Sequence, residues 1–336
     1  MLFRSVNYEL QNPFLRQYNL GIQQALPGNW DVFVGYVGSR GKNQFRLGDA
    51  NLAPEIIVNG EKVYQPLLGR RNPNFGAIFQ RVTDAESFYD SLQVSLIKRY
   101  SRGLRAQVSY TLAKSIDDSS GINSQDFDSG VQYGLDWYDP QRDRGPSAFF
   151  ARHNLTFNWS WEIPAGSLTG VAGALLKGWQ LNNVTTLQTG QPFTVRVGFN
   201  QSGNLNTTSF SQNERPNLKP GYSSNPILGG PDRYWDINAF ELPPPGQRGN
   251  LGRNTLVGPG LLASDLSLVK AFAAQKGRTV QVRLEAFNWL NRPNFAVPSG
   301  RIAFTNAASA VSPTWGRITS TVTTSRQIQV GVKYLF

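Results

Sequence analysis

Cysteine is absent from the 336 residues, and histidine and methionine occur once each. Without thiols the chain can hold no disulfide framework, thiolate metal site or cysteine nucleophile. The lone His153 cannot build a multi-histidine metal centre, and no serine or cysteine nucleophile motif accompanies it. No cofactor, no bound metal and no enzymatic activity are therefore expected. Long apolar runs are missing too, since no stretch approaches the ~18 consecutive apolar residues of a membrane-spanning helix. Acidic residues are scarce beside basic ones, 22 against 33, which leaves a net charge of +11. Basic pairs such as Lys98-Arg99 and Arg70-Arg71 lie apart and form no stripe with interleaved stacking aromatics, so nucleic acid is not an expected partner. The start, MLFRSVNYEL, runs into polar QNP without an apolar h-region, which gives the expectation that the sequence as it stands carries no export signal.

What is present is glycine (33 residues), aromatics (12%) and period-2 alternation, a pattern of strands and turns. Nine segments alternate over about the ~9 to 11 residues of a tilted membrane-crossing strand. In the first, Phe14 to Leu26, Tyr18, Leu20, Ile22 and Leu26 fall on one face and Gln17, Asn19, Gly21 and Gln23 on the other. A tight turn at Pro27-Gly28-Asn29 pairs Leu26 with Trp30, and this puts Leu20 opposite Tyr36 and Ile22 opposite Val34 in the second segment, Trp30 to Ser39. Joining Asp90–Tyr100 to Leu104–Ser115 through Ser101-Arg102-Gly103, with Tyr100 against Leu104, places Leu96 opposite Val108 and Val94 opposite Tyr110. The fifth segment alternates most cleanly: Leu155, Phe157, Trp159, Trp161 and Ile163 against Thr156, Asn158, Ser160 and Glu162. The sixth, Trp179 to Gln188, puts Asn183 on its apolar face. Leu262–Phe272, Thr279–Leu290 and Gln327–Phe336 complete the set, the first two joined by a turn at Ala274 to Gly277.

Connections alternate in length. Those near Pro27, Arg102, Ala165 to Leu176 and Gln275 are short, whereas 41–86, 117–151, 190–261 and 291–326 are long and polar. Structureless loops of this length count against a soluble domain, but short periplasmic turns and long extracellular loops are what an outer-membrane barrel has. Trp30, Tyr100, Trp161, Trp179, Phe272 and Phe336 gather at the short-turn end on the apolar faces, as an interfacial girdle would. A soluble sandwich, which also alternates, is the competing reading of the same aromatics. The expected fold is all-β: one antiparallel transmembrane β-barrel segment over 1–336. Nine strands closed on themselves would leave too narrow a lumen, so an open or half barrel is expected.

Three groups of residues bear on chemistry. Pairing Phe272 with Arg278 sets Asp265 opposite Glu285 and diagonal to Arg283 on the polar face, which predicts a lumenal charge network of structural character. Asp117-Asp118, Asp126 to Asp128, Asp136 to Asp139 and Asp143 could offer oxygens to a hard cation, but the spacing is not that of an EF-hand, and a solvated polar loop is the expectation. Glycines 190, 249, 252, 258 and 260 precede no helical pattern and read as loop turns.

Several motifs carry a family resemblance. Ile328, Val330, Val332, Tyr334 and Phe336 look like the C-terminal signal that the barrel-assembly machinery reads in outer-membrane proteins. Arg283-Leu284-Glu285-Ala286-Phe287-Asn288-Trp289-Leu290-Asn291 resembles the stretch near the end of TonB-dependent receptor barrels. Gly38-Ser39-Arg40-Gly41, Asp143-Arg144-Gly145-Pro146 with Arg152-His153, Gly178-Trp179-Gln180-Leu181, Gly190-Gln191-Pro192-Phe193, and Gly249-Asn250-Leu251-Gly252-Arg253-Asn254 with Gly258-Pro259-Gly260 are similar to the Oar-like branch, in matching order and spacing. The resemblance implies a far longer protein of the outer membrane of a Gram-negative-type bacterium: export signal, carboxypeptidase-regulatory-like domain, plug, and a barrel of about 22 strands of which these are the last. It further implies a plug opened by TonB, contact with outer-membrane lipid, and uptake of a bulky nutrient bound by the long loops, in a family that includes carbohydrate binders. The plug and N-terminal domains are expected to be missing here. A passive pore and a soluble carbohydrate-binding β protein are the alternatives.

Overall fold

The computed structural model describes residues 3–121, 134–205, 214–273 and 278–336. Nine strands form one antiparallel meander in which each pairs with its neighbours in sequence: β1 (Phe14–Leu26), β2 (Trp30–Asp49), β3 (Ile78–Ser101), β4 (Leu104–Asp117), β5 (His153–Glu162), β6 (Trp179–Gln188), β7 (Leu261–Ala273), β8 (Thr279–Phe287) and β9 (Gln327–Leu335). Two short pieces extend the sheet, Phe3–Val6 parallel to β3 and Gly145–Pro146 against β4. Among the described residues β1 and β9 are the edges and do not pair with each other, so the sheet is open.

Register follows from the need to keep one face apolar. Leu26 pairs with Trp30, Leu20 with Tyr36 and Ile22 with Val34. Leu96 pairs with Val108 and Val94 with Tyr110, as the alternation requires. At the turn itself Ser101, not Tyr100, faces Leu104, and the ladder shifts between Lys98 and Ser101. Arg102 (φ 51°) and Gly103 (φ 79°) are both left-handed, the geometry of a two-residue type I′ turn, and the irregularity absorbs the extra residue. Around the sheet the other face reads Asn19, Ser95, Ser109, Thr156, Thr186, Ser267, Glu285 and Gln329, a polar wall opposite an apolar one.

Asn183 does lie on the apolar face, and its polarity is satisfied within that face. Its Nδ2 donates to Ser264 Oγ (3.0 Å) and to the Asp265 carbonyl (2.8 Å), Thr185 Oγ1 donates to Asn183 Oδ1 (2.9 Å), and Trp289 Nε1 donates to Ser264 Oγ (2.9 Å). A buried polar cluster with its partners in place costs far less than one without.

The long connections are not structureless. β2 and β3 run 20 and 24 residues, about twice what a bilayer needs, and carry the chain beyond it. There a hairpin (Glu55–Val58 with Glu61–Tyr64) stands beside a composite core of Phe193, Val195, Tyr234, Trp235, Phe240, Leu256, Phe304 and Ile318. Two connections, 190–261 and 291–326, supply that core, and Arg196–Val197 pairs in parallel with Ile302–Phe304 to tie them together. The loops thus form a cap. At the opposite end the connection from β5 to β6 holds one short helix, Gly170–Leu176.

Trp235 is fully buried, with Phe240 edge-on at 5.5 Å, Trp315 at 5.3 Å, and its Nε1 donating to the Gly300 carbonyl (3.2 Å). Trp235→Ala should cost about 3 to 5 kcal/mol of cap stability. The expected outcome is loss of the near-ultraviolet tryptophan circular-dichroism signal and faster proteolysis within 190–260 and 291–326, with the far-ultraviolet β signal of the sheet unchanged.

Candidate functional site: lumenal wall and outer cap

The polar wall carries Asp265, Arg283 and Glu285 on one face, but the charge network does not form as the sequence pairing predicts. β7 and β8 pair Phe272 with Val280, Val269 with Arg283 and Ser267 with Glu285. Moving the turn one residue along the chain shifts the register by two, which preserves the face and changes every partner. The turn at 274–277 lies outside the described residues. Asp265 accepts from the Asn288 backbone N–H (2.8 Å), Arg283 Nη2 donates to Gln281 Oε1 (3.2 Å), and Arg283 Nε is buried without a partner. Among the described residues no ion pair joins the three side chains.

The girdle residues line the short-turn end. Trp30 pairs with Lys98, whose ammonium lies 5.5 Å from the indole centroid, and Trp179 pairs with Lys270, whose ammonium lies 5.2 Å from Trp179 and 5.3 Å from Phe272. The Tyr100 hydroxyl donates to Glu162, Trp161 is aligned with Leu104 and Leu181, and Tyr334 and Phe336 lie 6.2 Å apart. Ile328, Val330, Val332 and Tyr334 share the apolar face of β9 with this aromatic pair.

The cap is where the acidic residues go, and they are buried instead of solvated. Arg253 Nη2 binds the Asp117 carboxylate and carbonyl, its Nη1 donates to Ser120 Oγ (3.0 Å), and its Nε donates to the Asp143 carbonyl. Arg215 pairs with Asp143 (3.1 Å), whose other oxygen accepts from the Leu135 N–H (2.7 Å). Asp136 takes Arg248 (3.5 Å), Lys62 (3.5 Å) and the Tyr64 hydroxyl (3.0 Å), and the Arg248 guanidinium stands 4.6 Å over the Tyr64 ring. Arg46 binds Asp84 (2.6 Å) and covers Trp137. Asp139 meets Lys62 and Arg142, and Asp118 accepts from the Glu86 N–H. Asp126 and Asp128 lie outside the described residues. Asp117, Asp136 and Asp143 are neutralised by Arg253, Arg248 and Arg215 of a loop far along the chain, which a local reading of one loop does not reveal.

The motifs read separately as turns converge here. The Asn254 amide donates to the Pro146 carbonyl (2.8 Å), and the Gly258 N–H donates to the Gln191 carbonyl (2.9 Å). A Cβ on Gly145 would stand 2.3 Å from the Arg253 carbonyl oxygen, and one on Gly190 only 1.7 Å from that of Gly258, so backbone contact requires glycine at both places. Electrostatics follow burial. Loss of hydration pushes the Glu214 carboxyl up against the pull of Arg248, while at Asp136 the same penalty is outweighed by Arg248 and Lys62, which hold its carboxyl below the usual range.

The sequence matches the family described as outer membrane beta barrel domain over residues 2–329. No curated protein matches it. Among solved structures, the outer membrane transporter YddB from Escherichia coli superposes with a TM-score of 0.50 at 13% identity, over 96% of this chain and 33% of that one. The FrpB iron transporter from Neisseria meningitidis (F3-3 variant) gives a TM-score of 0.43 at 10% identity, over 98% of this chain and 32% of that one. The chain thus spans about a third of the length of these structures.

Two outcomes follow for the cap. Arg253→Ala strands buried acceptors and should cost about 3 to 5 kcal/mol, with Arg253→Lys failing to restore it because an ammonium cannot span the same fork of oxygens. Hydrogen exchange should quicken at 143–147 and 190–197 while the sheet core keeps its protection. With pH, the contribution of Asp136 is complete above its ordinary value of 3.8 and is lost as pH falls through the depressed folded value. Glu214, raised from 4.5, acts with the opposite sign and favours the folded cap only as pH falls. Asp136→Asn should therefore destabilise the cap at neutral pH and show a shallower acid limb, measured by tryptophan fluorescence between about pH 6 and pH 2.

Proposed function

We infer that this chain, which belongs to the outer membrane beta barrel domain family, forms nine strands of the barrel of a larger TonB-dependent transporter of the Oar-like type. One observation carries the reading: a transmembrane wall, polar inside and apolar outside, whose edge strands β1 and β9 are paired on one side only among the described residues. Lipid cannot satisfy an open edge, because every unpaired N–H and C=O in hydrocarbon costs several kcal/mol, so further strands must close the sheet. A lumen wide enough for a bulky solute also needs more than nine strands, since diameter grows with strand number. The span of about a third of the YddB transporter fits a wall completed by other segments.

In this reading the cap is part of the outer ligand-binding surface, and Asp265, Arg283 and Glu285 face the plug side of the wall. The ligand is a bulky nutrient, a carbohydrate being the class that the family resemblance favours. TonB acts through a plug that other segments supply, and the barrel-assembly machinery reads the alternating residues Ile328 to Phe336. A passive pore is the rival. The two differ in energy dependence, so medium depletion is compared in strains with and without the gene, with and without a protonophore. Gene-dependent loss of a solute from the medium that stops when the inner membrane is de-energised is the expected result. Depletion that persists with the protonophore would make the chain part of a passive pore.

A further inference from the structure

The short helix between β5 and β6, α1 (Gly170–Leu176), is fixed against the outward face of the wall. Trp179 and Lys270 are direct partners across the β6–β7 ladder, and the row continues from Lys270 through Val282 to Val332, so both side chains stand on the apolar, lipid-facing side. From that side the Trp179 indole Nε1 donates to the Leu175 carbonyl (2.7 Å), and the Lys270 ammonium donates to the same carbonyl (3.0 Å) and to that of Lys177. The Ala271 N–H donates to the Gly178 carbonyl (2.8 Å), which locks the exit of the helix onto β7. Lys270 is only 5% exposed. A lysine is tolerated on a membrane-facing wall here because the C-terminal carbonyls of α1 accept its hydrogen bonds.

This placement leaves an apolar surface uncovered. Val171 is 77% exposed, Leu175 64% and Leu176 49%. The positions from Ile163 to Leu176, between Glu162 and Lys177, carry no charge at all. In water such a segment would be an apolar patch without a charged rim. Its depth follows from β6. A strand rising ~3.4 Å per residue at ~45° climbs ~2.4 Å per residue along the membrane normal. From Trp179 to Gln188 the chain therefore climbs ~22 Å, close to the height of the ~25 Å apolar band, which puts Trp179 at its lower edge. The Leu175 carbonyl meets that indole, so the C-terminal end of α1 lies level with the periplasmic boundary and outside the barrel wall.

We propose that α1 lies in the periplasmic leaflet of the membrane, with Val171, Leu175 and Leu176 buried among acyl chains just beneath the headgroups. Continuity decides the occupant: the surface adjoins the lipid-facing wall at Trp179 and Lys270, and the lipid that covers that wall reaches the helix as well. An uncharged segment offers a partner protein no charge to recognise. The assignment rests on the membrane-facing wall and holds whether or not transport depends on TonB.

The test exploits the absence of cysteine from these residues, since Val171→Cys and Leu175→Cys each supply a single thiol for a nitrobenzoxadiazole probe. The protein, purified from outer membranes, is placed in phosphatidylcholine vesicles. Quenching by phosphatidylcholine carrying a nitroxide at carbon 5 of its acyl chain is compared with quenching by aqueous iodide. Leu284→Cys, on the outward face of β8, is the lipid reference, and Ser224→Cys, exposed in the cap, is the water reference. Both helix probes should give a nitroxide-to-iodide quenching ratio within two-fold of the Leu284 variant and at least five-fold above the Ser224 variant. Far-ultraviolet circular dichroism is recorded for each, and either helix position stands in for the other if one variant loses its sheet. A ratio equal to that of the Ser224 variant would overturn the proposal, by placing α1 in periplasmic water. Quenching by neither agent would overturn it as well, since protein would then cover the helix.

Discussion

A backbone that crosses hydrocarbon has no water to hydrogen-bond with, so its N–H and C=O groups must find one another. In this chain the constraint is met by the simplest topology available, each strand pairing with the next through β1 to β9. Consecutive pairing keeps the inward and outward faces in phase, because a slip of one residue would turn every apolar side chain into the lumen. The shift near Lys98 and the two-residue displacement in β7–β8 are the adjustments this rule permits, since neither exchanges the faces. The same constraint bears on β1 and β9, which among the described residues are paired on one side only.

Beyond the bilayer, water returns and the rules change. The loops pack through a small hydrophobic core around Trp235 and through arginines that reach across the chain. Arg253 meets Asp117 over 136 positions of sequence, and Arg215 meets Asp143 over 72. Contacts of such separation carry a large closure entropy, and backbone approaches at Gly145 and Gly190 shorten the distances they must bridge. Removing one member of a buried ion pair leaves the other uncompensated, so the pairs hold the cap as a set.

This contrast explains how much the sequence discloses. The sheet is written locally: alternation in Leu155 to Ile163 and the turn at Pro27-Gly28-Asn29 are enough to place strands, faces and most registers. The cap is written non-locally. Phe193 and Trp235 lie some forty positions apart in one loop and Phe304 in another, and they show no period, so their common core is invisible until the chain is folded. The acids of 117–143 read as solvated because their partners Arg215, Arg248 and Arg253 lie in another loop. A signal was nevertheless present, since Asp143-Arg144-Gly145-Pro146 and Gly249 to Asn254 combine charge with glycine where an ordinary loop needs neither. For β7–β8, pattern fixes the face but not the turn residue, and the partners of Asp265, Arg283 and Glu285 depend on the turn.

The two ends of the wall also treat their cations differently. At the short-turn end Lys270 is buried, donates to the carbonyls of Leu175 and Lys177, and is covered by Trp179 and Phe272, while Lys98 reaches the Gly28 carbonyl beside Trp30. These ammonium groups are satisfied by the protein, and their stems cover apolar surface as they reach the interface. At the other end Lys114 stands directly across the ladder from Asp90, a carboxylate that also holds Arg40. Satisfied cations set the depth of the wall from one side and leave its vertical position independent of what lipid surrounds them.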